Sequence, residues 1–368
     1  PCHVPTSLTV MTWRSLSCAS ARASRSSRSW RAVEALPKLA DCRDVEALAA
    51  PVPVAAGAED RRRADALFDQ LARVEALRES SHHAAATELA RAAVAEAVAL
   101  GHAPSEADAR LALGWALHDE GEHAAAEAEL RAALHAAEAG GHDEAAVLAW
   151  TRLGWVVGCD LARHDEGRRE LEHAAAWSGR LHGRPHLEVA RLRTLGWIEH
   201  EAGDDTAAIG HLEAALAIAE ELPPDDRAGA QEVAMVLNGL GAAQLGAAQL
   251  DRAESSFTRA AAGLEAELGP DHPDVARTRN NLGALLRAQG RPAESRAVFL
   301  RTLAVFEGAF GEAHPVIGQT LVNLAVAELD LGLDADAEGH AERAIAVLVA
   351  ANGPRHPMVA KAHTIRAD

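Results

Sequence analysis

The sequence predicts an all-α fold: a solenoid of about seven antiparallel helix pairs, preceded by a disordered N-terminal segment. One phrase, a glycine followed three residues later by His-Pro, begins at Gly269, Gly311 and Gly353 and so recurs every 42 residues. A fixed period of this length marks a repeat array. Alanine, leucine, glutamate and arginine dominate the composition, which favours helix. A small residue, usually glycine after leucine, recurs with a similar period at Gly114, Gly154, Gly196, Gly241, Gly283 and Ala325.

The first thirty residues differ from the rest of the chain. Residues 1–30 are rich in serine and arginine, and the first of the 54 acidic residues is Glu34. One interpretation is a targeting peptide, a class that is Arg- and Ser-rich and acid-poor; the preferred interpretation is a fragment edge or an out-of-frame translation. Both predict disorder. Residues 31–58 are predicted to form a short helical linker, broken at prolines, and residues 59–368 the repeat array.

Every repeat unit follows the same order. A first helix carries the small residue, a turn follows about seven residues later, and a second helix places alanines 12 and 19 residues after the small residue. Between them lies a large apolar residue, at Leu130, Leu212 and Phe257. Two helices approach to about 8 Å only where the contact lacks bulk, which explains the small residues. Val74 fits as a degenerate first unit, and the Gly154 unit has its second-helix residues one position late, at Gly167, Leu171 and Ala174.

This pattern resembles the tetratricopeptide repeat, and the 42-residue period with its Gly-x-x-His-Pro start resembles the kinesin-light-chain variety. The resemblance extends over roughly residues 60–368. It implies a right-handed superhelix and a non-catalytic module that binds a peptide or a partner protein in a concave groove lined by the first helices. Proline suits the first turn of a helix and histidine can hydrogen-bond the loop backbone, so the His-Pro pairs are predicted to be structural.

A second resemblance concerns residues 31–100. The stretch LPKLADCRDVEAL, followed by a helix and then repeats, resembles the region that joins the kinase and repeat parts of large bacterial serine/threonine protein kinases. It implies a C-terminal regulatory or scaffolding region of such a signalling protein. Two alternatives stay open: a truncated remainder of a kinase whose missing domain phosphorylates proteins, and a scaffold that self-associates end to end.

Composition and motifs exclude several function classes. The net charge of −18 argues against nucleic-acid binding, and no apolar run is long enough to span a membrane. Phosphate-binding, kinase, GxSxG and HExxH motifs are absent, so we expect no enzyme activity, no cofactor and no metal site in this chain. The four cysteines lack disulfide or zinc spacing, which indicates a reducing, cytoplasmic location.

The family resemblance predicts which residues face the groove. One residue after the small position are Trp115, Trp155 and Trp197, each in a Leu-Gly-Trp triplet. They either form a ladder that grips an extended peptide or fill the seam between helices. The remaining groove candidates are polar, namely Arg193 and His200 in the middle and Asn238, Arg277, Asn280 and Arg287 in the second half. Because asparagine can both donate to and accept from a peptide backbone, the groove is predicted to be aromatic at one end and polar at the other.

Overall fold

The computed structural model describes residues 57–367, except for residues 81, 180, 182–183, 223–226 and 355–356. The predictions for residues 1–30, and nearly all of those for 31–58, therefore lie outside the described part of the chain. Within that part the regular structure consists of fifteen α-helices and one short π-helical segment, with no strand. The predicted all-α class is confirmed.

The chain divides into two compact units, the first ending at Ala202 and the second beginning at Gly203. The helices of the first unit are α1 (Ala58–Glu79), α2 (His83–Leu100), α3 (Ala103–Asp119), α4 (His123–Gly140), α5 (Asp143–Trp155), α6 (His164–Ser178) and α7 (Pro185–Glu201), with the π segment Val156–Asp160 directly after α5. Those of the second unit are α8 (Asp205–Glu220), α9 (Arg227–Gly246), α10 (Leu250–Leu268), α11 (Pro273–Ala288), α12 (Pro292–Phe310), α13 (Pro315–Leu329), α14 (Asp334–Asn352) and α15 (Pro357–Ala367).

The starts of α11 and α13 explain the repeated His-Pro. Pro273 and Pro315 occupy the first turn of these helices, where a missing backbone N–H is tolerated. His272 and His314 are the N-cap residues: Nδ1 of His272 accepts a hydrogen bond from the N–H of Asp274 at 3.1 Å, and Nδ1 of His314 accepts from Val316 at 3.3 Å. The structural role predicted for these two histidines is confirmed.

The small residues of the first helices lie directly under the large residues of the second helices. A Cβ atom at Gly114 would lie 2.8 Å from Leu130, and one at Gly283 would lie 2.7 Å from the ring of Phe299. Leu130 and Phe299 are themselves buried. The Gly154 and Gly241 contacts have the same form, with Leu171 and Phe257 respectively. The sequence order of small and large residues therefore reflects a repeated steric contact within each pair.

The π segment explains why one unit is out of register. In Val156–Asp160 the Leu161 N–H donates to the carbonyl of Val156, five residues back, at 2.9 Å, and a π turn accommodates one more residue than an α turn. The turn residue with positive φ then falls at Ala162 (φ 53°), eight rather than seven positions after Gly154. The following helix is displaced by the same one residue, and residue 167 is glycine because a Cβ there would lie 2.6 Å from the Cα of Gly158.

Ion pairs join successive helix pairs in each unit. Arg168 of α6 binds Glu199 of α7 through two N–H donors, at 2.9 and 2.7 Å. The carboxylate of Glu328, which is fully buried on α13, pairs with Arg296 of α12 at 2.9 Å and with His340 of α14 at 2.7 Å. A carboxylate removed from water needs such partners, so these contacts fix how one pair packs against the next.

Candidate functional site

The first helices of neighbouring repeats contact one another within each unit. In the first unit α1 contacts α3, α3 contacts α5 and α5 contacts α7; in the second unit α9 contacts α11 and α11 contacts α13. Each unit therefore presents a continuous first-helix face, defined here as the surface made by its first helices. The groove candidates lie on these helices: five residues in the first unit and four in the second.

Two of the three predicted tryptophans pair with each other on the first unit's face. The rings of Trp155 and Trp197 lie edge to face with their centroids 6.1 Å apart, and His200 lies against Trp197 at 5.8 Å. All three side chains are half-buried, as is Arg193 one turn earlier on α7. Part of the surface of both indole rings is therefore exposed, and an apolar side chain of a ligand could pack against it.

Trp115 is in a different environment. Its ring stacks on His118 with a centroid distance of 4.4 Å, and the guanidinium carbons of Arg152 and Arg78 lie 5.2 and 5.7 Å from the ring centroid. These are cation–π distances. Burial lowers the pKa of Arg152 to about 10, and its Nη1 donates to the carbonyl of Leu111 at 3.2 Å. Trp115 is therefore engaged by its own chain more fully than Trp155 and Trp197 are.

The four polar candidates of the second unit differ in their burial and in their partners. Asn238 Oδ1 accepts a hydrogen bond from Nδ2 of Asn281 at 3.1 Å, which links α9 to α11. The neighbouring Asn280 is half-buried, and its Oδ1 has no hydrogen-bond partner in the structure. Arg277 and Arg287 are exposed, and Arg287 pairs with Asp330 at 3.2 Å. Asn280 is thus the amide with acceptor capacity to spare.

Cys159 lies beside the first unit's tryptophan pair in sequence. Burial, together with nearby Asp160 and Glu201, raises the pKa of its thiol well above the ordinary value. A thiol that stays protonated is a poor nucleophile. The same face carries the indole rings of Trp155 and Trp197 and the half-buried side chain of Arg193.

Sequence reasoning missed other participants in these contacts, including Arg78, His118, Arg152, Asn281 and Asp160. Arg152 and Asn281 lie two residues before the small positions Gly154 and Gly283. The groove candidates Arg193, Asn238 and Asn280 lie three residues before theirs. Asp160 reaches its place through the π segment. Only Asp160 had a signal in the sequence, namely the one-residue displacement of its repeat unit after Gly154.

Comparison with known families supports the repeat assignment in the C-terminal half. A tetratricopeptide repeat family model matches residues 232–308 and 278–349, so the predicted resemblance is confirmed there. Comparison with curated proteins gives no match. None of the described helices combines the length and apolarity needed to cross a membrane.

The chain is similar to several solved structures at low sequence identity. A Rap protein in complex with competence and sporulation factor is 14% identical over 78% of this chain and 76% of its own length, with a TM-score of 0.63. The Cut9–Hcn1 heterotetramer of the APC/C is 14% identical over 89% of this chain and 57% of that chain, with a TM-score of 0.58. BtubC (BKLC) from P. vanneervenii is 21% identical over 76% of this chain and 93% of its own, with a TM-score of 0.41.

Proposed function

We propose that the chain is a non-catalytic protein-interaction module that binds an extended peptide, or an extended segment of a partner protein, on its first-helix faces. The observation that carries the proposal is the half-buried edge-to-face pair of Trp155 and Trp197 on α5 and α7. Tryptophan is enriched among the residues that dominate binding energy because it buries a large area with few rotatable bonds. A Rap protein of the same fold was solved with a bound factor, which supports this function class.

The two units contribute differently to the proposed binding. In the first unit an apolar or aromatic ligand side chain would pack on Trp155 and Trp197. In the second unit the exposed side chain of Arg277 would donate to a peptide carbonyl. The net charge of −18 favours ligands with basic residues, because opposite charge increases the rate of encounter.

The test is selection of peptides from a displayed library on the purified chain, followed by affinity measurement on variants. We expect Trp155→Ala and Trp197→Ala each to weaken the selected peptides by about 30-fold or more, since loss of a binding hot spot costs about 2 kcal/mol or more. Trp177→Ala is the matched control, because Trp177 lies on the second helix α6.

Thermal unfolding of each variant establishes that the fold survives. If peptides bind the Trp155 and Trp197 variants as tightly as the parent chain, the face does not bind them and the proposal fails. If Trp177→Ala weakens binding as much as the other two, the peptides recognise a different surface, which also contradicts it.

The proposal extends to context. The resemblance of residues 31–100 to kinase–repeat junctions supports a regulatory or scaffolding region of a bacterial signalling protein that works in the cytoplasm. Reading the DNA upstream of residue 30 in all three frames tests this context. An intact kinase frame supports it, and unrelated coding sequence contradicts it. Light scattering at several concentrations tests self-association.

A further inference from the structure

Two histidines and one aspartate converge where the second helix pair meets the third. Nδ1 of His118, near the end of α3, lies 2.9 Å from Oδ2 of Asp160 in the π segment. Nδ1 of His123, the first residue of α4, lies 3.6 Å from the same oxygen. The three atoms all lie within 4.8 Å of one another. Four ligands about 2.0–2.1 Å from a tetrahedral metal are spaced about 3.3 Å apart, so the two measured distances bracket that value.

The three converging atoms are buried but not hydrogen-bonded. His118 Nδ1, His123 Nδ1 and Asp160 Oδ2 are covered from solvent, and none makes a hydrogen bond of acceptable geometry. Such atoms in a folded protein call for an explanation, and an ion is one of the recognised explanations. The side chains remain 18%, 34% and 18% exposed, so an ion has a route to the cluster.

The preceding repeat contains the same arrangement with one decisive difference. Arg78 and His83 hold the repeat positions equivalent to His118 and His123, and Asp119 corresponds to Asp160 once the residue inserted in the π segment is allowed for. There Nε of Arg78 lies 2.7 Å from Asp119 Oδ2, and Nδ1 of His83 lies 3.8 Å from it. A guanidinium stays protonated and cannot ligate a metal, whereas a neutral imidazole can. The residue at the position of Arg78 and His118 therefore decides whether the cluster forms an ion pair or can bind a metal.

The π segment and Trp115 shape the cluster further. Asp160 is the last residue of Val156–Asp160, and π turns occur frequently at functional sites. The imidazole of His118 stacks on Trp115 at 4.4 Å, which holds the ring in one plane. Ligation through Nδ1 leaves the proton of each imidazole on Nε2.

We propose that His118, His123 and Asp160 bind one divalent transition-metal ion, with solvent completing its coordination. This departs from the expectation of no metal site. Two imidazole nitrogens and one carboxylate oxygen suit Zn²⁺ and its neighbours Co²⁺ and Ni²⁺ rather than Mg²⁺ or Ca²⁺, which prefer oxygen ligands. The ion joins α3, α4 and the π segment, so it fixes the second helix pair against the third beside Trp115.

The test uses the full-length chain freed of metal with a chelator. Zn²⁺ is titrated by calorimetry, and Co²⁺ is titrated by visible absorption. We expect one tight ion per chain and a Co²⁺ spectrum without the intense thiolate charge-transfer band that a cysteine ligand would add. His118→Arg, which copies Arg78, and His123→Ala are expected to weaken binding at least tenfold. His83→Ala, at the matched position of the preceding repeat, is expected to leave it unchanged.

Thermal unfolding with and without Zn²⁺ adds an independent readout, because an ion that binds only the folded state raises the midpoint. The parent chain and His83→Ala should show the shift, and His118→Arg should lose it while remaining folded. Three results would each overturn the assignment. These are tight binding that survives both ligand substitutions, a Co²⁺ spectrum with a thiolate band, and no binding by the parent chain when Zn²⁺ is in large excess over protein.

Discussion

Replacing Gly283 by alanine tests the steric contact on which the repeat depends. A Cβ atom at this position would lie 2.7 Å from Cε1 and 2.9 Å from Cζ of Phe299. Real Cβ atoms do not tolerate such distances, and Phe299 is 1% exposed, so its ring has little room to move. Overpacking of a core costs about 1–3 kcal/mol, whereas Gly→Ala in a helix interior gains about 1 kcal/mol of helix propensity.

Gly339 on α14 supplies the matched control. It is a helical glycine in the same unit, and a Cβ there would meet nothing within 4 Å. Gly339→Ala should therefore stabilise the chain by up to about 1 kcal/mol. Gly283→Ala should be less stable than Gly339→Ala by about 1–3 kcal/mol, the overpacking cost by itself.

The measurement is urea unfolding followed by circular dichroism, which reports on the helices of both units. All seven tryptophans lie at or before Trp197, so tryptophan fluorescence does not probe the second unit and circular dichroism is the appropriate readout. The free energy of unfolding is compared from the midpoints at an unchanged urea dependence. Equal stabilities of Gly283→Ala and Gly339→Ala would refute the steric explanation of the small residues.

Three further predictions concern the register change, pH and a buried charge. Gly167→Ala should destabilise the chain by about 2 kcal/mol, because its Cβ would meet the backbone of Gly158; an unchanged unfolding midpoint would contradict the close approach. Burial opposes the charged form of His142, but the hydrogen bond and charge of Asp108 outweigh it and raise the pKa of His142. This stabilisation is present below about pH 6.5 and is lost as pH rises through the folded-state pKa, so Asp108→Asn should lower stability more at about pH 5.5 than at about pH 8.5; an equal loss at both would contradict the linkage. Glu328→Ala should cost about 1–3 kcal/mol in urea unfolding, because it leaves His340 without its carboxylate partner and Arg296 with Asp336 alone; an unchanged unfolding midpoint would show that water replaces the carboxylate.

Local rules along the chain carried most of the fold prediction. The spacing of Gly114 and Leu130, and of Gly283 and Phe299, encodes a contact between two helices that are adjacent in sequence. The His-Pro pairs encode helix starts in the same way, through one hydrogen bond across two residues. Contacts of this kind span fewer than about twenty residues and repeat every unit, so composition and period suffice to reveal them.

The candidate site was only partly predictable, because its contacts join different repeats. The tryptophan positions followed from the period, but the pairing of Trp155 with Trp197 and the engagement of Trp115 by Arg152 depend on how one helix pair rotates against the next. Asn281, which was not a groove candidate, donates a hydrogen bond to Asn238 for the same reason. A rotation of one residue on a helix turns a side chain by about 100°, which periodicity alone does not resolve.

The chain's own order of residues established helices, their pairing and the places where small and large side chains meet, since each of these is a short-range steric requirement. Packing in three dimensions decided which polar groups face one another across repeats. One inserted residue in Val156–Asp160 displaces the following helix and brings Asp160 to His118 and His123. This convergence depends on the hydrogen bonds of a single helical turn. Aligning the repeats reveals the extra residue, but not which side chains it brings into contact.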